Sequence, residues 1–572
     1  MPLQRTIGRR RPLGAERQGV RRTIPAMSRF RYRELIQTRP NRVAAACIPG
    51  WLRGTRNGQR YARFAFAFVC KVMLFLVCVV SISCGRNACR SPRVGWPRYI
   101  VPSTSCARDA VPCSCFLTIK DLAVDGRGVV TVAGTVLGSY DVDGLSVSAS
   151  GPRPSAFLLS YAADGKPLWS RVLDSAYTGA ISALASESQG DLFAVGSFAA
   201  QEVDNAGLEH GRQIVLAKFS PMGTVTWSLR RRRAADWTVG KSNVAVAYLP
   251  GSDPDEIGRT TRDDRTYSAI ATGLDGSLFV VGNFVQLLPD EQSELQLHAR
   301  GDRDGFISKY SPEGQHRWTK QIGGKSVWLM PPDGLGWSDD SDGVTQVIAG
   351  PRGEAVIAGR LGITGLVGEE REVSDGGRRV FVEAMDSSGN HLWSLRLAPD
   401  HHGELGLPKL AGNPIGVTVL TEADDSPDAD DFQEIQVGGP LVRQWVRQYD
   451  WTGKEKWQYL FSSKNQPWID SIEQVATAPD GTVVLAAVVH SAVRWAGRML
   501  PAPSRGGKGP RHIALLRLNP EGHPADATIL DSSDQDAVTA MRLAESGDLF
   551  LVAAKRNPSA CSSRASIYKV GR

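Results

Sequence analysis

The chain has 572 residues, of which 42% are hydrophobic and 22% charged, and its 59 glycines and 33 prolines favour many turns and short strands in a globular protein. Its net charge of +8 does not indicate a fold that binds nucleic acid, because residues 1–60 hold fifteen Arg against Glu16 and Glu34, which leaves −5 for residues 61–572. The run Arg230 to Arg233 is the one strong basic cluster downstream, and a solvated loop flank explains it better than a phosphate site.

The N-terminal part of the sequence predicts export. We interpret residues 1–60 as a basic disordered leader, or as the result of a start codon placed too far upstream. Residues 61–84 are predicted to be a signal peptide or signal anchor. The apolar run from Val72 to Ser83 follows Lys71, and twelve residues rise about 18 Å as a helix, less than a hydrocarbon core of about 30 Å. A signal peptide therefore fits better than a stable span, and an uncleaved anchor over residues 64–83 is the alternative.

Cys84 ends this segment and is followed by a linker, residues 85–93. The stretch Ser81-Ile82-Ser83-Cys84 resembles the lipobox of bacterial lipoproteins, in which a cysteine after a small residue is acylated. It departs from that pattern at Ser81, where Leu is usual. The resemblance implies a membrane-tethered protein whose lipid is attached to Cys84.

Five similar phrases then recur, and in each a Trp follows a Gly by four residues. They are "YAADGKPLWS", "FSPMGTVTWS", "YSPEGQHRWT", "MDSSGNHLWS" and "YDWTGKEKWQ", with Trp169, Trp227, Trp318, Trp393 and Trp457. Repetition at intervals of tens of residues is typical of solenoids, propellers and arrays, and uneven intervals indicate loops of variable length between fixed elements.

Each repeat contains four predicted strands. An apolar run comes first, a Gly turn starts a second run such as "DGSLFVVGNF", a variable loop follows, and a third run leads through another Gly turn to the Trp strand. Four antiparallel strands per repeat predict a propeller blade. The second and third runs each occur seven times, so the sequence predicts an all-β, seven-bladed β-propeller over residues 94–572.

The fourth strand occurs only six times within the repeats. In the sixth, "HPADATIL" (523–530) replaces the Trp strand, and the chain ends after the third strand of blade seven. The run "VGWPRYI" (94–100), which contains Trp96, precedes blade one and is similar to the Trp strands. We expect it to complete blade seven as the outermost strand, since a closed ring leaves no open sheet edge.

The Gly–x–x–x–Trp copies resemble the tryptophan-docking motifs of pyrroloquinoline-quinone-type propellers, and the whole phrase resembles the repeats of exported bacterial β-propellers often called SBBP-like. The resemblance covers about residues 94–572. It implies that each Trp is structural and buries its ring between adjacent blades, with the indole N–H finding an acceptor. A cofactor-stacking role for these rings is the weaker alternative.

Loop lengths separate the two faces of the predicted ring. The turns within the strand pairs are all short, whereas long segments join second to third strands and one blade to the next. The long segments between second and third strands are 137–155, 285–304, 361–378, 421–440 and 490–510. Those between blades are 230–262 and 323–343. We expect a protein or polysaccharide partner on the long-loop face, no nucleic acid, and a monomer.

Cysteines cluster near the predicted point of closure. Cys106, Cys113 and Cys115 precede blade one, and Cys561 lies in the second-to-third loop of blade seven, on the same predicted face. We expect a disulfide between Cys561 and one of the other three, which an exported protein permits. Free or metal-binding thiols are the alternative, although no C-x-x-C pair with zinc spacing is present.

Catalytic and cofactor-binding patterns are sparse. The sequence has no His-Glu-x-x-His, no G-x-S-x-G and no phosphate-binding glycine loop, and we predict no catalytic residue, cofactor or metal. Solvated loops explain "HHGE" (401–404) and "DDSPDADDF" (424–432) better than metal sites. The function predicted is a non-catalytic binding scaffold at the cell envelope; the alternatives are a quinone-dependent dehydrogenase and a carbohydrate-active propeller.

Overall fold

All residues that the computed structural model describes belong to the second of two compact units, Cys89–Arg572. They are residues 94–102, 116–149, 154–173, 178–199, 212–231, 266–284, 287–289, 296–300, 303–324, 343–361, 366–367, 370–371, 378–400, 407–422, 443–462, 466, 468–501, 511–530, 537–554 and 565–571.

Seven four-stranded antiparallel sheets form the blades, and the strands follow chain order in blades one to six, whereas in blade seven β1 lies beside β36. Blades one and two comprise β2 (Phe116–Val124), β3 (Val130–Leu137), β6 (Ser155–Tyr161) and β7 (Pro167–Leu173), then β8 (Thr178–Ser186), β9 (Leu192–Ala199), β10 (Arg212–Phe219) and β11 (Val225–Arg231). Blades three and four comprise β12 (Thr266–Thr272), β13 (Leu278–Phe284), β16 (Asp304–Tyr310) and β17 (His316–Ile322), then β18 (Gly343–Ala349), β19 (Ala355–Leu361), β22 (Arg378–Met385) and β23 (His391–Asp400). Blades five and six comprise β24 (Lys409–Asn413), β25 (Gly416–Glu422), β26 (Arg443–Tyr449) and β27 (Glu455–Ser462), then β28 (Ile469–Thr477), β29 (Val483–Val489), β32 (His512–Leu518) and β33 (Pro524–Leu530). Blade seven comprises β34 (Ala537–Leu543), β35 (Leu549–Ala554), β36 (Ala565–Val570) and β1 (Val94–Pro102).

Short hairpins lie between the second and third strands of four blades. They are β4 (Ser139–Val142) with β5 (Leu145–Ser148), β14 (Leu287–Pro289) with β15 (Gln296–His298), β20 (Leu366–Val367) with β21 (Glu370–Arg371), and β30 (Val493–Trp495) with β31 (Arg498–Leu500). The sequence predicts loops here instead, because strands of two to four residues give too short a pattern to detect.

The first strands of the seven blades contact one another in a closed series, β2–β8–β12–β18–β24–β28–β34 and back to β2. They therefore surround the axis, and the fourth strands lie at the rim. This arrangement confirms the prediction of a seven-bladed propeller.

The first described strand closes the ring. β1 pairs antiparallel with β36 from Val94 opposite Val570 to Ile100 opposite Ala565, which confirms the predicted closure of blade seven. The strand runs two residues further than predicted, and these two residues pair with β4 of blade one. One strand thus completes blade seven and also joins it to blade one.

A glycine inside the second strand of several blades has a steric cause in the neighbouring first strand. β2 has a bulge between Ile119 and Asp121, and Gly134 of β3 lies opposite Ile119. A Cβ atom at Gly134 would lie 1.8 Å from the carbonyl oxygen of Thr118, which no other residue could tolerate. The same close approach occurs at Gly196 and Gly359.

Apolar side chains form the core between blades. The described residues contain seven buried clusters, and each combines side chains of two adjacent blades. Because each fully buried aliphatic side chain contributes about 1.5–3 kcal/mol, these interfaces hold the ring together.

Candidate functional site: the two faces and the axis

One face of the ring consists of tight turns between first and second strands and between third and fourth strands. In blade three, the Gly276 N–H donates to Gly273 O at 3.0 Å and the Gly314 N–H donates to Ser311 O at 2.9 Å. Both of these residues have positive φ, which glycine adopts without a steric penalty. We call this the tight-turn face and the opposite side, with its second-to-third loops and blade links, the elaborated face.

Tryptophan side chains of the fourth strands bind to the tight turns of the next blade. Trp169 Nε1 donates to Pro221 O at 2.9 Å, and the indole covers Gly223 so closely that a Cβ atom there would lie 2.7 Å from the ring. The same contact is made by Trp96 with Ala163, Trp227 with Pro312, Trp318 with Ser387, Trp393 with Trp451 and Trp457 with Pro520. In the Gly–x–x–x–Trp phrase, therefore, the Gly receives the Trp of the preceding blade and the Trp contacts the following blade.

The interface between blades six and seven has no such tryptophan. Asp526, four residues after Gly522, stands at the position of the Trp and lies 3.6 Å from the Arg517 guanidinium. Blade seven takes its fourth strand from residues 94–102, so no turn joins its third strand to its fourth. A Trp on blade six would have no turn to bind.

A lysine accompanies the docked tryptophan in blades three and seven. Lys309 Nζ lies 5.0 Å from the centre of the Phe279 ring and donates to Ser387 O at 3.1 Å, the same oxygen that accepts from Trp318 Nε1. In blade seven, Ala163 O likewise accepts from both Lys569 and Trp96. The sequence signal is a Lys just before the last residue of the third strand, and none of the predictions above uses it.

A buried carboxylate lies close to the axis. Asp121 accepts hydrogen bonds from the backbone N–H groups of Leu122 and Leu184, both at 2.9 Å, and an ion pair from Arg542 at 3.0 Å. Because these three partners belong to blades one, two and seven, Asp121 joins three blades. Its oxygens are engaged by donors, which suits a structural carboxylate better than a general base.

Charges from two further blades approach the same place. Burial lowers the pKa of Lys409 on β24, while the negative charges of Glu473 and Asp121 act to raise it and that of Arg542 acts to lower it. Two cations and two anions thus converge from blades five, six, seven and one. No local sequence pattern predicts this cluster, because the four residues are up to 421 positions apart.

Two of the hairpins fold against the rim. Trp495 of β30 donates its indole N–H to Arg517 O at 3.1 Å and stacks on Phe461 of blade five, with ring centroids 5.7 Å apart. In blade one, Ser170 Oγ donates to Ser146 O of β5 at 3.1 Å. These hairpins support the blade interfaces, while Met499, in the middle of β31 and opposite Arg494, remains 56% exposed.

Several predicted site residues lie outside the described residues. These are the lipidation candidate Cys84 and the disulfide candidates Cys106, Cys113, Cys115 and Cys561, together with the loops 401–404 and 424–432. Across the part of the chain that the structure describes, no group of three or more His, Cys, Asp or Glu residues is arranged to hold a metal ion. The same part contains no helix long and apolar enough to span a membrane.

No protein-family model matches the chain, and no curated protein matches it. Among solved structures, a protein of unknown function from Dyadobacter fermentans DSM 18053 is 11% identical with a TM-score of 0.34, covering 70% of this chain and 96% of that one. A protein of unknown function from Bacteroides caccae is 10% identical with a TM-score of 0.27, covering 64% and 94%. The polysaccharide lyase Uly1 is 9% identical with a TM-score of 0.39, covering 84% and 98%. Likenesses this distant carry no argument about family or activity.

Proposed function

We propose that this protein is an exported, membrane-tethered propeller that acts as a non-catalytic scaffold, and that a protein or polysaccharide binds its elaborated face. The observation that carries the proposal is the difference between the faces, since every turn within the described strand pairs of one face is short while hairpins and long segments belong to the other. Binding residues in proteins are concentrated on loops that a rigid framework holds in place.

The chemistry near the axis supports a role without catalysis. Asp121 is held by two backbone N–H groups and by Arg542, and its neighbourhood contains equal numbers of cations and anions. A glycoside-hydrolysing site would instead need two carboxyl groups free to protonate a leaving group and to activate water.

Two double variants test the binding face. Arg494→Gln with Met499→Glu changes exposed residues of the hairpin β30–β31, and Met222→Glu with Leu274→Glu is the control on the tight-turn face with the same change in net charge, where these residues are 71% and 85% exposed. We expect an envelope component to be retained by the unaltered chain and the tight-turn variant, and retained at least about fivefold less by the hairpin variant, since losing a cation and placing a carboxylate in a contact cost about 1 kcal/mol or more. Equal retention by all three would contradict binding at this hairpin.

Export and tethering have a separate test. A radiolabelled or clickable fatty acid supplied to cells should label the unaltered chain and not Cys84→Ser, because the thiol is the acylation site in the lipobox interpretation. Label that persists in Cys84→Ser would exclude lipidation there.

A chromophore bound after incubation with pyrroloquinoline quinone and calcium would favour the dehydrogenase alternative.

A further inference from the structure

Two of the short hairpins have the same geometry and can be compared position by position. They are β4–β5 of blade one and β30–β31 of blade six, and both lie between the second and third strands of their blades. Each closes through a two-residue turn in which both residues have positive φ, Asp143-Gly144 in blade one and Ala496-Gly497 in blade six. A difference between their exposed side chains therefore does not come from the backbone of the hairpin.

The side chains that face the propeller are apolar in both hairpins. Tyr140 and Val142 of β4 and Val493 and Trp495 of β30 are all at most 3% exposed. Trp495 is held further by its stacking on a blade-five ring and by its indole hydrogen bond to β32. The hairpin of blade six is thus a fixed part of the propeller, and it presents its outer side chains from a rigid support.

The exposed positions have opposite charge in the two hairpins. In blade one, Asp141 accepts a hydrogen bond from a backbone N–H of its own turn at 3.1 Å, and Asp143 lies 3.5 Å from the Arg98 guanidinium. In blade six, Arg494 stands at the position of Asp141, and Arg498 follows the turn. Both arginines are exposed, and neither side chain has a hydrogen bond or an ion pair with a residue that the structure describes. The aspartates have structural partners, whereas the arginines have none among these residues.

The charge of this part of the sequence is entirely positive. Residues 481–520 contain six Arg or Lys residues, spread out rather than in a run, and no Asp or Glu. The loop 421–440 of neighbouring blade five contains seven acidic residues and no basic one, and residues 61–572 together carry −5. On another strand of blade six, the carboxylate of Asp470 is already paired with Arg511 at 2.8 Å. The hairpin is therefore a local positive region on an acidic protein, and such a region attracts anions.

The outer surface of the hairpin suits a polysaccharide better than a protein partner. Protein interfaces obtain most of their affinity from large aromatic or apolar side chains in packed pockets. Here Val493 and Trp495 are turned inward, and Met499 is the one large apolar side chain exposed among the described residues of the hairpin. Guanidinium groups instead bind carboxylates through paired, charge-assisted hydrogen bonds, which need no apolar core.

We propose that the hairpin β30–β31 binds carboxylate groups of an acidic polysaccharide through Arg494 and Arg498. The inference rests on the proposed function, because it names the partner of the elaborated face at blade six. Binding is ionic, so it weakens as salt shortens the Debye length from about 10 Å at 0.1 M to about 3 Å at 1 M. Uronic-acid polymers are the chemical class that supplies a carboxylate on successive sugar units.

Affinity electrophoresis of the purified full chain tests the partner class, with polygalacturonate, neutral dextran and polyglutamate as probes. Polygalacturonate should retard the chain and dextran should not, and the apparent Kd should rise at least about tenfold between 0.05 and 0.5 M salt. No retardation by polygalacturonate, or equal retardation by dextran, would overturn the proposal. Tighter binding to polyglutamate than to polygalacturonate would also overturn it and would assign an acidic protein to the hairpin.

Two double variants with the same loss of charge locate the binding. Arg494→Gln with Arg498→Gln should bind polygalacturonate at least about tenfold more weakly, because both charge-assisted contacts are lost. Lys166→Gln with Lys454→Gln removes two exposed cations from the tight-turn face and should stay within about twofold of the unaltered chain. Equal affinity of the two double variants would overturn the assignment to the hairpin.

Failure of this inference can be distinguished from failure of the proposed function. If Arg494→Gln with Met499→Glu loses an envelope component while the unaltered chain does not bind polygalacturonate, the binding face stands and the acidic polysaccharide is excluded. If both results are negative, both proposals fail.

Discussion

Six blade interfaces combine an apolar cluster with a docked tryptophan, whereas the interface between blades six and seven has an apolar cluster of similar size and no tryptophan. At the axis, that interface instead uses Gln474, whose amide donates to Val538 O and Thr539 O of blade seven. A tryptophan therefore binds the next blade only where a continuous turn joins the third and fourth strands of that blade. Blade seven is built from the first and the last strands that the structure describes, so it cannot receive a tryptophan, although its own fourth strand donates one through Trp96.

Deleting β1, residues 94–102, should have the largest effect on stability. The deletion removes the Trp96 dock, the outer strand of blade seven and the pairing with β4, and it exposes the edge of β36. We expect the free energy of unfolding to fall by more than the about 3–5 kcal/mol of a single buried Trp, as measured by urea unfolding. Deletion of residues 85–93 is the control and should leave the midpoint unchanged; an unchanged midpoint after loss of 94–102 would contradict closure by this strand.

Truncation of one docked tryptophan should have the next largest effect. Trp169→Ala removes a side chain that is 8% exposed and leaves Pro221 O without its donor, so a loss of about 3–5 kcal/mol is expected. Asp526→Ala, at the equivalent position of blade six, should cost less than about 1 kcal/mol, because its ion pair is partly exposed. Equal losses in the two variants would mean that the dock adds nothing to the apolar cluster.

Substitution of a receiving glycine separates backbone strain from ring contact. Gly223→Ala places a Cβ atom 2.7 Å from the Trp169 ring at φ of 75°, and we expect a loss of about 2–4 kcal/mol. Gly144→Ala is the matched control, because φ is 85° there and nothing lies within 4 Å of the added atom. It should cost only about 1–2 kcal/mol. Chemical denaturation of both variants gives the difference, and similar losses would show that the ring moves aside.

Acid should destabilise the tight turn of blade four that binds Trp318, and this is the smallest of the expected effects. The Asn390 N–H is the main donor that holds the pKa of Asp386 below its ordinary value of 3.8, and the Ser388 N–H also bonds to it. A lowered pKa in the folded state means that the stabilisation is present above about pH 4 and is lost as the pH falls through the folded value. Melting points of the unaltered chain and Asp386→Asn should therefore converge between pH 6 and pH 3. A constant gap would assign the difference to something other than this carboxylate.

The positions of the four blade strands in each repeat, the number of blades and the closure of blade seven could be predicted from the sequence, whereas the four short hairpins could not. Each of these depends on local patterns, namely β-branched runs, Gly turns and the Trp four residues after a Gly. The second-strand glycines Gly134, Gly196 and Gly359 could be seen in the sequence, but the reason for them could not, because it lies in a bulge on the neighbouring strand.

The sequence by itself determined the repeat unit, because each blade repeats the same turn and strand chemistry within tens of residues. Only the tertiary structure decided which blade each Trp contacts, why blade six has Asp526 instead, and that Asp121 and Arg542 meet near the axis. Such partners are separated by up to 421 residues, and their contact follows from closing the ring, a condition that no local stretch of sequence contains.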